Sequence, residues 1–162
     1  MRDLYLFTAR TLETARPVPY GALIVNTQTG EPLVRATNKV AVENDPSSHA
    51  ELLAVRLACK KLNRPSLAGY TMYSTFEPCA MCMGNALWAG LDRVVFGGTI
   101  ADAGRHSLQI RVPAKQVARR ADMAGVVDGP VLRELCKTLF THPNMQRALR
   151  TWSPLKRKPS KP

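Results

Sequence analysis

The sequence predicts an α/β protein whose sheet is partly parallel and carries helices on its faces. Three observations support this prediction. Short β-prone segments alternate with amphipathic helical segments, and clusters of Asn, Gly and Pro separate them. The helical segments are long enough to act as crossovers between neighbouring strands, which gives parallel pairing. In such sheets, ligand sites lie at strand ends beside helix N-termini.

The first part of the chain predicts a helix followed by a hairpin. Apolar residues recur at helical spacing up to Pro17, which ends the first predicted helix. Residues 20–25 form a β-prone run, residues 26–31 carry turn chemistry, and residues 32–40 can return as a second strand. The polar segment 42–48 contains Asn-Asp-Pro, which indicates a loop.

The middle of the chain alternates helix and strand twice. Residues 49–62 have a continuous apolar face and follow two serines that can cap a helix. Residues 70–75 are β-prone, and Pro78 suits the first turn of a helix that continues to about Ala89. Residues 93–96 predict the next strand.

The last third has weaker patterns. Residues 100–112 look irregular, residues 113–121 can be helical, and residues 126–127 can form a short strand. Two further helices are predicted over residues 130–140 and 144–152. We therefore expect a single domain over residues 1–152, because no repeat and no second domain is visible.

The composition narrows the class of protein. No apolar run reaches the roughly 18–20 residues of a membrane-spanning helix, and the N-terminus lacks the features of a secretory signal, so we expect a cytoplasmic protein without a membrane partner. The formal charge of +11 allows RNA contact by the basic surface. Four of the basic residues lie in the Pro-rich tail 153–162, which we expect to be disordered.

Two short motifs predict a metal site. His49-Ala50-Glu51 and Pro78-Cys79-Ala80-Met81-Cys82 lie at the starts of two predicted helices, with one strand between them. Cysteines three residues apart share a helix face, and thiolates are stabilised near a helix N-terminus. Two sulfur ligands and one nitrogen ligand leave a tetrahedral position for water, as in a catalytic zinc site.

The same motifs predict how such a site would work. Zinc lowers the pKa of a bound water to about 7, so that hydroxide exists at neutral pH. Glu51, two residues from His49, can take the proton of that water and pass it to a ring nitrogen and to a departing amine. A zinc ribbon would need a second Cys-x-x-Cys pair, which the sequence lacks, and a redox pair would not need the His-x-Glu motif.

The two motifs together resemble the signature of the cytidine/deoxycytidylate deaminase superfamily. The resemblance covers roughly residues 2–98 and includes the segment Asn-Asp-Pro-Ser-Ser that precedes His49. It implies a three-layer α/β/α fold with a central mixed sheet of about five strands, one Zn²⁺ per chain with a bound water or hydroxide, and a homodimer. It also suggests that a neighbour's C-terminal segment, around Trp152, completes the pocket.

The resemblance also suggests residues that would hold the substrate. Asn38 matches an Asn that bonds the base or ribose, and this role is favoured over the alternative of a turn residue at a strand end. Tyr20 resembles an aromatic that holds the base in guanine deaminases, and Trp88 occurs at an offset where those enzymes have a Trp. For both aromatic residues, a place in the core is the open alternative.

Three functions remain open from the sequence. The first is a deaminase of a free nucleobase or nucleoside, with guanine or a related purine favoured. Guanine deaminases carry paired Asp residues after the last clear strand, whereas residues 99–108 here hold only Asp102. The second is a tRNA adenosine-to-inosine deaminase, which the charge and the segment 93–97 favour. The third is a non-catalytic, zinc-stabilised module that binds nucleic acid, although Glu51 would then have no role.

Overall fold

The computed structural model describes residues 1–151 and confirms the predicted fold class. Eight helices and five strands follow in chain order within this range. The helices are α1 (Arg2–Ala9), α2 (Val40–Glu43), α3 (Ala50–Leu62), α4 (Ala80–Trp88), α5 (Ile100–Ala103), α6 (Ala114–Arg119), α7 (Arg133–Thr141) and α8 (Pro143–Leu149). The strands are β1 (Gly21–Asn26), β2 (Pro32–Thr37), β3 (Tyr70–Phe76), β4 (Arg93–Gly98) and β5 (Val126–Asp128), and a 3₁₀ turn (Arg10–Glu13) extends α1.

The five strands form one mixed sheet in the order β2-β1-β3-β4-β5. Strand β1 pairs antiparallel with both β2 and β3, whereas β3, β4 and β5 run parallel. The antiparallel hairpin is closed by the turn over residues 27–30, in which the N–H groups of Gln28 and Thr29 bond to the Asn26 side chain. Helices α3 and α4 lie before β3 and β4, so the carboxyl end of β3 leads directly to the start of α4.

Alternation along the strands divides the core between the two faces of the sheet. On one face, Ala22, Ile24 and Met72 pack in the cluster that contains the buried residues of α3 and α4. On the other face, Leu23 and Val25 pack with Leu4 of α1. The period of two in β1 therefore places helices on both sides, and α1 and α7 cover the face opposite α3 and α4.

The structure corrects the predicted course of the chain at two places. The second strand ends at Thr37 rather than at residue 40, because the Asn38 side chain accepts a hydrogen bond from the Val40 N–H and the chain turns into α2. Within the segment predicted as irregular, α5 forms because Thr99 and Asp102 cap it reciprocally.

Other predicted bounds differ by a few residues. Pro78 lies before α4 rather than in its first turn, since Cys79 is the N-cap. The pair Gly97-Gly98 belongs to β4. The last helix ends at Leu149 rather than at residue 152. Trp152 and the tail 153–162 lie outside the described residues. Within residues 1–151, every helix is too short or too polar to cross a lipid bilayer.

Candidate metal site

Three potential metal ligands meet at the N-termini of α3 and α4. His49 is the N-cap of α3, Cys79 is the N-cap of α4, and Cys82 lies in the first turn of α4. Both caps have extended backbone, which directs the chain from a strand or loop into each helix. The two helices contact each other, and their ligand atoms converge although His49 and Cys79 are thirty residues apart.

The geometry of the three ligands fits a zinc ion. The ligand atoms all lie within 4.8 Å of one another, and the Cys79 Sγ is 3.8 Å from the His49 Nδ1. Zinc bond lengths of about 2.3 Å to sulfur and about 2.0 Å to nitrogen place neighbouring tetrahedral ligands about 3.6 Å apart. A closed structural site would need a fourth protein ligand, and this group holds only three residues.

The surroundings favour a thiolate on Cys79. The Cys82 thiol, first, and then His49 donate hydrogen bonds that lower the pKa of Cys79 to about 4, against the opposing effect of burial. The same hydrogen bond to Cys79 raises the pKa of His49. One of the two thiols, Cys79, therefore loses its proton readily, and a thiolate is the form that binds a metal cation.

Glu51 lies in the first turn of α3 and is only 5% exposed. Burial is the main cause that raises the pKa of its carboxyl group, and the nearby His49 acts in the opposite direction. The Ser74 hydroxyl donates a hydrogen bond of 3.0 Å to Oε1 and fixes the carboxylate. Ser74 could not be predicted from the sequence, because β3 also carries Thr71 and Thr75 and no pattern distinguishes Ser74 from them.

Glu77 has a structural position. Its Oε2 accepts the N–H of Ile100 at 3.0 Å, and its Oε1 accepts the N–H of Ala114 at 2.9 Å. One carboxylate thus caps the first residues of both α5 and α6. Since Glu77 is two residues from Cys79, the metal ligands and the segment 100–114 share one anchor.

Tyr20 lies beside the ligand group and is held by two residues of the segment after β4. Its hydroxyl bonds to the Ser107 Oγ at 2.8 Å and accepts from the Gln109 Nε2 at 3.0 Å. Burial, above all, raises the pKa of Tyr20 to about 12, and the charges of Glu51 and Cys79 add to this. No local pattern in the sequence marks Ser107 and Gln109, because their contact with Tyr20 spans nearly ninety residues.

Of the other predicted substrate residues, one lies near this group and one does not. The N–H of Asn38 bonds to the Tyr20 carbonyl, which brings Asn38 to the same sheet edge. Trp88 is 80% exposed at the far end of α4, about 13 Å along the helix axis from Cys79 at 1.5 Å per residue. Trp88 is therefore not a core residue, and its contact with substrate stays a prediction.

Asp102, which is the only acid of its segment, has a structural role. Its carboxylate accepts two hydrogen bonds of 2.8 Å from the Arg133 guanidinium and also bonds to Thr99. The Arg133 guanidinium is the main cause that holds the pKa of Asp102 well below its usual range. The Asp102 side chain is 2% exposed. Its carboxylate bonds to residues of α7 and of the start of α5, and not to the metal ligands.

Fold and site together define an α/β/α protein in which three side chains could hold a metal ion and a buried carboxylate lies beside them. The model of the cytidine and deoxycytidylate deaminase zinc-binding region matches residues 1–98. The chain belongs to this family.

Comparison with known proteins places two kinds of relative beside the chain. It is 42% identical over 79 residues to a tRNA-specific adenosine deaminase of Aquifex aeolicus, covering 49% of this chain and 51% of that one. It is 34% identical over 104 residues to the guanine deaminase of Bacillus subtilis, covering 64% of this chain and 65% of that one. The chain thus spans between half and two thirds of the length of these relatives.

A solved structure supports the fold independently. The guanine deaminase of Nitrosomonas europaea superposes with a TM-score of 0.78 over 88% of this chain and 81% of that chain, at 20% identity. At this identity the likeness establishes the common fold and leaves the substrate to the site residues.

Proposed function

We propose that this protein is a zinc-dependent hydrolytic deaminase, a hydrolase of a C–N bond, that releases ammonia from a nucleobase or nucleoside. A guanine-like purine is the favoured substrate class. The observation that carries the proposal is the buried Glu51 carboxylate beside a ligand group of only three residues, His49, Cys79 and Cys82. A module that used zinc only for stability would have no need of a buried carboxylate there, because burying a charge is costly.

In this proposal, His49 Nδ1 and the two thiolates hold the ion. Zinc, when bound, supplies a Lewis acid that makes water ionise near neutral pH. Glu51 takes a proton from water and delivers it to a ring nitrogen of the base. It then carries a second proton, from the hydroxyl group added to the base, to the amine that leaves as ammonia. The hydrogen bond from Ser74 holds the carboxylate in one orientation, and the raised pKa of Glu51 favours a group that can both accept and return a proton.

We propose that three side chains hold the substrate, and the structure supports two of them more strongly than the third. Tyr20 and Asn38 lie at the sheet edge that carries the ligand group. Trp88 has no such contact within residues 1–151, so its proposed role lies at the site of a neighbouring copy. An apolar groove of about 410 Å³, lined by residues that include Gly84, Val117 and Met123, adjoins the exposed Trp88. This surface supports the proposed homodimer, which the molar mass in solution tests.

A tRNA adenosine deaminase is the second candidate. It is favoured by the formal charge of +11 and by the similarity to a tRNA-specific adenosine deaminase. The ion pair of Asp102 with Arg133 weakens the case for guanine, because this carboxylate is not available to a base.

We also propose a cytoplasmic location and a single domain over residues 1–152. The location is supported by four free cysteines, two of which must stay reduced to bind metal.

The substrate is tested by ammonia release from a panel of guanine, adenine, cytosine, their nucleosides and unmodified tRNA. We expect release from a free purine base and little from tRNA. Release from tRNA alone, together with steep salt dependence of its binding, would establish the second candidate. If zinc-loaded protein releases no ammonia from any member, the deaminase proposal is wrong and a binding module remains.

A further inference from the structure

Tyr20, Ser107 and Gln109 form a closed triangle of hydrogen bonds. The Tyr20 hydroxyl and the Ser107 Oγ are 2.8 Å apart. The Gln109 Nε2 donates to both of them, at 3.0 Å each. All three contacts are partly buried, so the triangle is a fixed element of the structure rather than a solvated surface.

Backbone contacts place this triangle at the edge of the candidate metal site. The Tyr20 carbonyl accepts the N–H of Asn38, and the next residue, Gly21, donates its N–H to the Thr75 hydroxyl. One step further, Ala22 is paired with Ser74, which is the residue that holds Glu51. The Tyr20 ring also packs edge-on against Phe76, three residues before Cys79. The triangle therefore lies at the same end of β1 and β3 as Ser74, which holds Glu51.

The hydrogen-bond inventory of the triangle leaves one polar group for a ligand. Both N–H donors of the Gln109 carboxamide are used inside the triangle. Within residues 1–151, the Oε1 of Gln109 has no hydrogen-bond partner, and it is not among the buried unpaired atoms. It is thus an accessible, oriented acceptor.

The neighbouring acids do not offer such an acceptor. Asp102 is bound to Arg133 and Thr99, and Glu77 is bound to the N–H groups of Ile100 and Ala114. Neither of these two carboxylates is therefore free to accept a hydrogen bond from a base at the triangle. The carboxamide oxygen of Gln109 can accept an N–H from a neutral ligand.

We propose that Gln109 is a specificity-determining residue, whose Oε1 accepts a hydrogen bond from a ring N–H of a neutral purine-type base. This inference rests on the proposed function for its substrate class. It gives a role to the segment after β4, which lacks the paired acids of guanine deaminases. In this proposal Gln109 contacts the ligand, whereas Ser107 only positions Tyr20 and Gln109.

The experiment compares two substitutions at one position. Gln109→Met removes the acceptor and the donors, whereas Gln109→Glu keeps acceptor oxygens and removes the donors. Gln28→Met is the matched control, since Gln28 lies exposed in the hairpin turn and its side chain makes no hydrogen bond within the described structure. Two quantities are measured on zinc-loaded protein: KM and kcat for the best base of the panel, and the Kd of hypoxanthine by titration calorimetry.

We expect Gln109→Met to raise KM and the hypoxanthine Kd about tenfold, which corresponds to one lost hydrogen bond, with kcat within about twofold. Gln109→Glu should keep both within about threefold, and Gln28→Met should change neither.

Three outcomes would overturn the inference. The first is an unchanged KM and Kd in Gln109→Met, and the second is an equal rise of both in Gln109→Glu, which would mean that Gln109 acts only by holding Tyr20. The third is that the wild type does not bind hypoxanthine. If the wild type releases no ammonia but the Kd values follow the expected pattern, the proposed function fails and the assignment of Gln109 stands.

Discussion

At the scale of single residues, the proposed function separates the three groups that would bind the metal from the one group that would move a proton. The three ligand residues lie at helix starts, where backbone N–H groups stabilise negative sulfur. Glu51 is buried a short distance away and is held by one hydroxyl. The same helix start therefore supplies a ligand, His49, and the carboxylate two residues later.

This separation predicts the result of removing the carboxylate. Glu51→Gln keeps the shape and the Ser74 contact but cannot take a proton, so kcat should fall at least about 100-fold. Zinc content, measured by mass spectrometry, should stay at one per chain. Glu31→Gln, at an exposed position before β2, is the control and should retain full turnover. A Glu51→Gln protein with normal kcat would exclude the proton-transfer role.

The metal ligands could be predicted from the sequence because their signal is local. Two cysteines in one helical turn and a His-x-Glu pair need no knowledge of the rest of the fold. Ser107 and Gln109 could not be predicted in this way, since their partner Tyr20 lies in a distant part of the chain. The exposure of Trp88 was equally hidden, because an aromatic residue in an apolar helix is compatible with either face.

At the scale of elements, helix α5 is fixed to α7 by the pair of Asp102 and Arg133. The capping box of Thr99 and Asp102 explains why a helix forms where the apolar pattern indicated none. That box could have been recognised from Thr99 and Asp102 three residues apart. The bidentate contact with Arg133 could not, because it joins elements that are 31 residues apart.

This pair predicts a dependence of stability on acid. Because Arg133 lowers the pKa of Asp102 in the folded state, the contribution is present above the ordinary Asp value of about 3.9 and is lost as the pH falls below it. Asp102→Asn should cost about 2–3 kcal/mol of the free energy of unfolding at pH 7, measured in urea. The deficit should shrink between about pH 4 and pH 2.

The control for this prediction is the exposed ion pair on the same helix. Glu134 bonds to Lys137, and its side chain is 77% exposed, so Glu134→Gln should change the free energy of unfolding by less than about 0.5 kcal/mol. A deficit of Asp102→Asn that stays constant down to pH 2 would contradict the assigned cause.

Strand β4 and helix α7 approach each other closely at Gly97. A Cβ at this position would clash with the Cys136 Sγ and would lie 2.6 Å from the Thr75 carbonyl oxygen. Gly97→Ala should therefore lower the free energy of unfolding by about 2–3 kcal/mol. Gly84→Ala in α4, where a Cβ meets nothing within 4 Å, should raise it by about 0.5–1 kcal/mol. Similar effects at both sites in urea unfolding would contradict the packing described.

At the scale of the whole molecule, the order of the strands could not be derived from the sequence. Alternation of helix and strand predicts parallel pairing in general, and β3, β4 and β5 follow it. The insertion of β1 between β2 and β3, antiparallel to both, depends on how the hairpin packs against α1 and α3. The family resemblance, rather than periodicity, supplied the mixed sheet of five strands.

The metal should contribute to the stability of the whole fold, since its ligands come from two helices separated by a strand. A chelator should lower the Tm by about 10 °C, as expected for a ligand present far above its Kd in a domain of this size, and added zinc should restore it. Differential scanning calorimetry measures this shift. Cys59→Ser, away from the ligand group, should respond to chelation as the wild type does.

The two hydrogen bonds of Glu77 affect which parts of this protein can change in sequence without loss of the metal site. One carboxylate fixes the amides of Ile100 and Ala114, so both ends of the intervening segment are pinned next to Cys79. These two hydrogen bonds use backbone amides, so they do not depend on the side chains of the residues in between. Residues 103–112 can therefore be exchanged as a unit without changing the metal ligands. We expect grafts of this segment between relatives to carry substrate preference with them, while the metal site stays intact.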